Sequence, residues 1–181
     1  MTTKPLKGIN VVECSAVFAG PICSRLLADG GADVIKIESP DGGDQTRGPR
    51  GESRVFAHFN AGKRSIAVNL ASESGRDIVR QLIARADVFI ENFRPGVMQK
   101  FGLDYAALKD AHPGLVYCSI SGFGQTGPYA QHGAYAPIAH ASSGYDVAHM
   151  RAQADPDAPP QRSPIMIADM LTGSYAFGAI Q

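Results

Sequence analysis

The chain has 181 residues, 44% apolar and 19% charged, enough to build one domain around a buried core and too apolar for a disordered chain. Its 17 Lys and Arg balance its 17 Asp and Glu, which leaves no basic footprint for nucleic acid, and no run of about 18 apolar residues is long enough to span a membrane. The first residues carry no signal-peptide core, and Cys14, Cys23 and Cys118 have no metal-ligand spacing; the expectation is a cytoplasmic protein with small buried thiols and no metal site.

Residues 9–14, rich in β-branched side chains, predict a buried strand. A tight turn follows and opens a helix near Pro21, whose fixed backbone suits a first helical turn. Ile22, Leu26 and Leu27 give that helix an apolar face, and Gly30 and Gly31 end it. Residues 32–38 predict a second strand, so the chain opens as strand, turn, helix, strand, the start of a parallel α/β sheet. Residues 39–54 read as a long loop carrying Arg47, Arg50 and Arg54, either a solvated surface loop or an anion-binding flap.

Residues 56–64 lead into a third strand at 65–70. A helix over 72–86 places Ile78, Val79, Leu82, Ile83 and Ala86 at helical spacing, as core packing. The fourth strand, 87–91, runs into Asn92-Phe-Arg-Pro-Gly96. Polar residues just past the carboxyl end of a parallel strand stand where open α/β sheets bind ligands. A short helix from Pro95 to Phe101 is broken by Gly102. Asp104 caps another that reaches Ala111 and ends at His112, a solvated cap. Residues 115–121 predict a fifth strand.

Gly-Phe-Gly-Gln-Thr-Gly at 122–127 matches the dinucleotide fingerprint by pattern. It lies outside the first strand–helix turn and Pro128 follows at once, so it reads as a glycine loop at a strand end. Residues 134–144 predict a helix of small residues, with His140 as a satisfied interior side chain, and 151–162 predict a linker. Asp169 then sits in an apolar run with Met166, Ile167, Met170 and Leu171. A carboxylate there needs partners. Two roles fit: an N-cap for a helix over 170–180, or a reactive carboxylate held ionised at a helix start. That last helix has no stop signal, and the expectation is a chain that forms the front part of a longer protein.

Taken in order, the runs at 8–13, 19–21 and 30–38, Asn60-Ala-Gly-Lys-Arg-Ser65, Glu91-Asn-Phe-Arg-Pro-Gly96, Ser121-Gly-Phe-Gly-Gln-Thr-Gly-Pro128 and Ala168-Asp169 resemble the class III coenzyme A-transferases. The resemblance covers nearly the whole chain. It implies a Rossmann-like α/β core, with residues 1–181 as the N-terminal part of a large domain whose glycine-rich loop and companion small domain lie further on. It also implies a homodimer of interlocked subunits. CoA and acyl-CoA are then substrates, exchanged with a carboxylic acid, and no tightly bound cofactor is implied.

By the same resemblance Asp169 is the nucleophile, and Val17, Asn92, Arg94, Lys100, Phe101 and Tyr135 bind CoA. Ser39 stands where a relative has an arginine, so Arg47, Arg50 or Lys100 are the candidates to meet phosphate in its place. The family also contains acyl-CoA racemases, which move an α-proton with a His/Asp pair; Tyr135 occupies the place of that His, which favours transfer. A third reading, from another class, is a nucleotide-binding half-protein without chemistry. Arginines in the long loop hint at a di-acid substrate.

Overall fold

Val11 and Val12, adjacent in sequence, enter two different cores on opposite faces of one sheet. In the computed structural model, which describes residues 4–48, 53–153, 155, 157–159, 163 and 165–181, the order is β1 (Asn10–Cys14), α1 (Ala19–Asp29), β2 (Asp33–Glu38), a 3-10 turn (Gln45–Arg47), α2 (Arg54–Asn60), β3 (Arg64–Ala67), α3 (Glu73–Ile83), β4 (Val88–Glu91), α4 (Val97–Phe101), α5 (Tyr105–Leu108), β5 (Val116–Ser119), α6 (Ala136–Ser143), α7 (Tyr145–Met150) and α8 (Ile167–Ile180). The five strands pair in parallel, in the order β3-β2-β1-β4-β5. This is the parallel α/β sheet that the strand–helix alternation predicts, and it fits the Rossmann-like core that the resemblance implies. Cys23 and Leu27 of α1 and Phe177 and Ile180 of α8 cover one face. Val79 and Ile83 of α3, Met98 of α4 and Leu108 of α5 cover the other.

Strand order reverses at β1, which has β2 on one side and β4 on the other. The connections diverge there and leave a crevice outside the carboxyl ends of the two strands. A buried ionic cluster holds the walls of that crevice together. Glu13, wholly buried in β1, accepts from Lys36 Nζ at 2.9 Å and Lys63 Nζ at 2.8 Å, and from the hydroxyls of Ser15 and Ser24. Lys36 also stands 3.0 Å from Asp44 Oδ2. Burial alone would push the Glu13 carboxyl up; the two ammonium groups outweigh it and hold it at about 2. Burial also draws the Lys63 ammonium down to about 8.

Several expectations shift. Residues 39–48 of the 39–54 stretch are tied to the body by Arg47 and are not a free loop or open flap. Arg47 forks onto both Glu38 carboxylate oxygens, at 2.6 Å each, and its guanidinium lies 3.8 Å over Phe56. Arg50 lies outside the described residues. Residues 54–60, expected as the end of the long loop and the start of the 56–64 lead-in to β3, form α2, started by Ser53 Oγ accepting from Phe56 N. β3 begins and ends earlier than expected. Ile78 is 43% exposed, whereas Val79 and Ile83 are buried as the helical spacing requires. Asp104 stands at the start of α5 without a side-chain cap bond, and α5 stops at Leu108. α7 was not expected at all. Cys14 and Cys23 are buried and Cys118 partly so. Among the described residues, no helix is long and apolar enough to cross a membrane.

Candidate active site

The first wall of the crevice is the turn from β1 into α1. Val17 in it has φ of 71°, a conformation that costs a β-branched residue steric strain and persists only where its surroundings enforce it. Three groups do so. Asn92, just past β4, accepts from Ala16 N at 2.9 Å and donates to Ala16 O at 2.8 Å. Lys36 Nζ donates to Ser15 O at 2.8 Å. Asp44 Oδ1 accepts from Val17 N at 3.4 Å and from Thr46 N at 2.9 Å, which ties the 3-10 turn to the same loop.

The second wall is α8. Met166 occupies its N-cap position and offers no capping side chain, so Asp169 lies inside the first turn and is not the cap. His140 does part of that work from α6: its Nε2 accepts from Ala168 N at 3.2 Å, and the ring is 4% exposed. The interior role expected of His140 therefore takes a specific form.

Asp169 is half-buried. Burial pushes its carboxyl up from the ordinary range. The backbone amides of Ala19, of Ala136 and of Asp169 itself act in the opposite direction. Ala19 and Ala136 are the first residues of α1 and α6. Three helix N-termini thus converge on one carboxylate, each a source of free N–H groups and positive potential. The same donors can stabilise an oxyanion formed next to that carboxylate.

A cleft of about 270 Å³ opens at this point and is lined by Asp169 together with Val17, Asn92, Arg94 and Tyr135. Five of the residues singled out from sequence come together here. Lys100 and Phe101 do not line it: Lys100 is exposed on α4 and Phe101 packs onto the core beneath α3 to α5. The Asn92 side-chain amide is already engaged with Ala16, and Tyr135 is 67% exposed at the rim. The glycine loop contributes Gly122, where a β-carbon would stand 2.4 Å from that of Ala134. Sequence reasoning missed Gln45, Thr172 and the alanines Ala16, Ala19, Ala139 and Ala168 of the lining. The spacing of Asp169, Thr172 and Gly173 at three and four residues was the available signal, since such positions share a helix face.

A parallel sheet with a carboxylate-bearing cleft at its switch point defines an α/β protein with a candidate ligand site. The family model described as "CoA-transferase family III" matches residues 6–181, and the chain belongs to that family. A succinate–glutarate CoA-transferase of Agrobacterium fabrum is 46% identical over 98% of this chain and 46% of its own length. An acetyl-CoA:oxalate CoA-transferase of Acetobacter aceti is 42% identical over 97% of this chain and 46% of its own. The crystal structure of a CaiB/BaiF family protein from Brucella suis superposes with a TM-score of 0.90 at 45% identity, covering 99% of this chain and 48% of that one. The chain spans about half the length of the curated relatives it matches.

Proposed function

We propose that residues 1–181 form the N-terminal part of the large domain of a CoA-transferase that moves CoA from an acyl-CoA to a free carboxylic acid, with Asp169 as the nucleophile. One observation carries this reading: Asp169 is half-buried in a cleft at the strand-order reversal, where the N-termini of α1, α6 and α8 converge on it. A carboxylate so placed is close to its electrophile and surrounded by donors for the charge that develops.

An Asp169 carboxylate oxygen attacks the thioester carbonyl and expels CoA thiolate, leaving a mixed anhydride. The thiolate attacks the aspartyl carbonyl, releases the first acid as its carboxylate and leaves an aspartyl thioester. The acceptor carboxylate attacks that thioester and frees the thiolate again. Thiolate attack on the acceptor's acyl carbon then yields the new acyl-CoA and restores Asp169. Every bond broken is matched by one formed, and no step calls for a resident metal or prosthetic group. Val17 and Asn92 shape the wall along which the pantetheine arm lies, and Tyr135 lines the acyl side. Lys100 and Phe101 remain candidates for the nucleotide end. A cytoplasmic, interlocked homodimer completes the proposal.

The racemase alternative needs a free base. His140 Nε2 already accepts from Ala168 N, and Tyr135 stands where that base would be. Mass spectrometry after incubation with an acyl-CoA tests the reading. The expected result is an adduct on Asp169, converted by hydroxylamine to a hydroxamate and absent in Asp169→Ala, which still binds CoA. Exchange of an α-proton without an adduct would support racemisation; ligand binding with neither would support a non-catalytic module.

A further inference from the structure

Helix α6 holds the first turn of α8 at two points. Ala136 and His140 stand four residues apart, on one face of α6. The amide of Ala136 faces the Asp169 carboxylate, and His140 Nε2 accepts from Ala168 N at 3.2 Å. The imidazole is 4% exposed and packs against the Tyr145 ring, with centroids 4.7 Å apart, which limits how far it can turn. Among the described residues, Ala136, Ala139, Ala168 and Asp169 line the cleft and His140 stands outside the lining. Its route to the chemistry therefore runs through α8.

The free N–H groups of a helix start need acceptors, and a carboxylate in the first turn is a favoured one. In α8 most of that need is met otherwise. Ile167 N donates to Ile165 O at 2.8 Å, Ala168 N donates to His140, and the helical ladder opens with Met170 N on Met166 O at 3.0 Å. The amide of Asp169 faces its own carboxylate. An imidazole nitrogen that accepts a hydrogen bond carries no proton, so His140 meets the Ala168 amide without placing a second charge beside Asp169. Without that acceptor, Ala168 N would compete for the carboxylate of the next residue. We propose that His140 is a positioning residue: by taking the Ala168 amide it fixes the first turn of α8 and leaves the Asp169 carboxylate turned to the cleft. The inference rests on the aspartyl reading above and adds to it the group that relieves the nucleophile of capping.

The test uses the full-length protein that carries this chain, with whichever of acetyl-CoA and succinyl-CoA labels the wild type faster. Single-turnover labelling of Asp169, read by mass spectrometry over a range of probe concentrations, gives a maximal rate and a half-saturating concentration. His140→Leu keeps an apolar side chain in the site and removes the acceptor. It is expected to lower the maximal rate about tenfold or more, with the half-saturating concentration and the CoA affinity by calorimetry unchanged. His140→Gln, whose amide oxygen can accept the same N–H, is expected to recover most of the rate. Amide exchange at Ala168 is expected to quicken in His140→Leu and to stay slow in His140→Gln. A maximal rate indifferent to His140, equal losses in the two variants, slow Ala168 exchange in His140→Leu, or a loss that falls on CoA binding would each overturn the assignment. Where His140→Leu fails to fold, Tyr145→Ala carries the test, since it frees the ring to turn and leaves the acceptor in place. A slower maximal rate at unchanged half-saturation then upholds the assignment, and the wild-type rate overturns it. The wild type separates this inference from the reading it rests on. No adduct with either probe removes the aspartyl mechanism and the inference with it; an adduct whose rate ignores His140 removes the inference alone.

Discussion

Gly173 meets Ala19 so closely that a β-carbon on it would stand 2.6 Å from the Ala19 carbonyl oxygen and 2.8 Å from Ile22 Cβ. Gly173 is one helical turn beyond Asp169, on the same face of α8. The contact therefore sets the depth at which Asp169 meets the N-terminus of α1. Gly173→Ala is expected to push α8 outward, to cost about 1–3 kcal/mol of stability by overpacking and to slow adduct formation on Asp169. Denaturant unfolding and the rate of labelling by acyl-CoA measure the two effects; loss of stability with an unchanged labelling rate would detach this contact from the chemistry.

The Asp169 carboxyl is raised by burial, so the native state binds its proton more tightly than the unfolded chain does. Its contribution to stability is fully present below the ordinary carboxylate value and is lost as pH rises through the raised one. Above that window the charged side chain works against folding. Asp169→Asn is expected to melt at a higher temperature than wild type at pH 7, with the difference closing at acid pH, and to form no adduct. In the wild type, labelling is expected to rise with pH through the same window as the nucleophile ionises.

The Glu13 cluster has the opposite sign. With the carboxyl held at about 2 against an ordinary 4.5, its contribution is present above 4.5 and is lost as pH falls towards 2. Glu13→Gln leaves the Lys36 and Lys63 ammonium groups buried without their shared anion. The expected cost is about 3–5 kcal/mol, read from denaturant unfolding at pH 7. Acid titration of the wild type is expected to show a transition in that window which the variant lacks.

Arg47 is occupied by Glu38 and Phe56, so Arg47→Ala is expected to loosen the turn at 45–47 more than it weakens CoA binding. The expected cost is about 1–2 kcal/mol, because one partner is partly solvated. Hydrogen exchange across residues 39–48 and CoA calorimetry read the two effects. A large loss of CoA affinity with unchanged exchange would return Arg47 to the phosphate site.

What the sequence settled by itself was whatever is encoded locally. Short β-branched apolar runs and period-3.6 apolar patterns located all five strands and the long helices, because burying those side chains is the main term in folding. The ordered motifs identified the family and singled out Asp169. Elements lacking a local signal were missed: Gly144, in the left-handed conformation, ends α6 and also opens α7, and a glycine there reads only as a stop. Likewise α8 starts at Ile167 without a capping side chain of its own. Its free N–H groups are met partly by His140, 28 residues away in sequence, a pairing no local pattern reveals. Only the tertiary structure decided that Asp169 lies within a helical turn, that Asn92 clamps the Val17 loop, and that Arg94 shares the cleft while Lys100 does not. Each of these depends on which elements the sheet brings together at the end of β1, and that juxtaposition arises from packing between segments far apart in the chain.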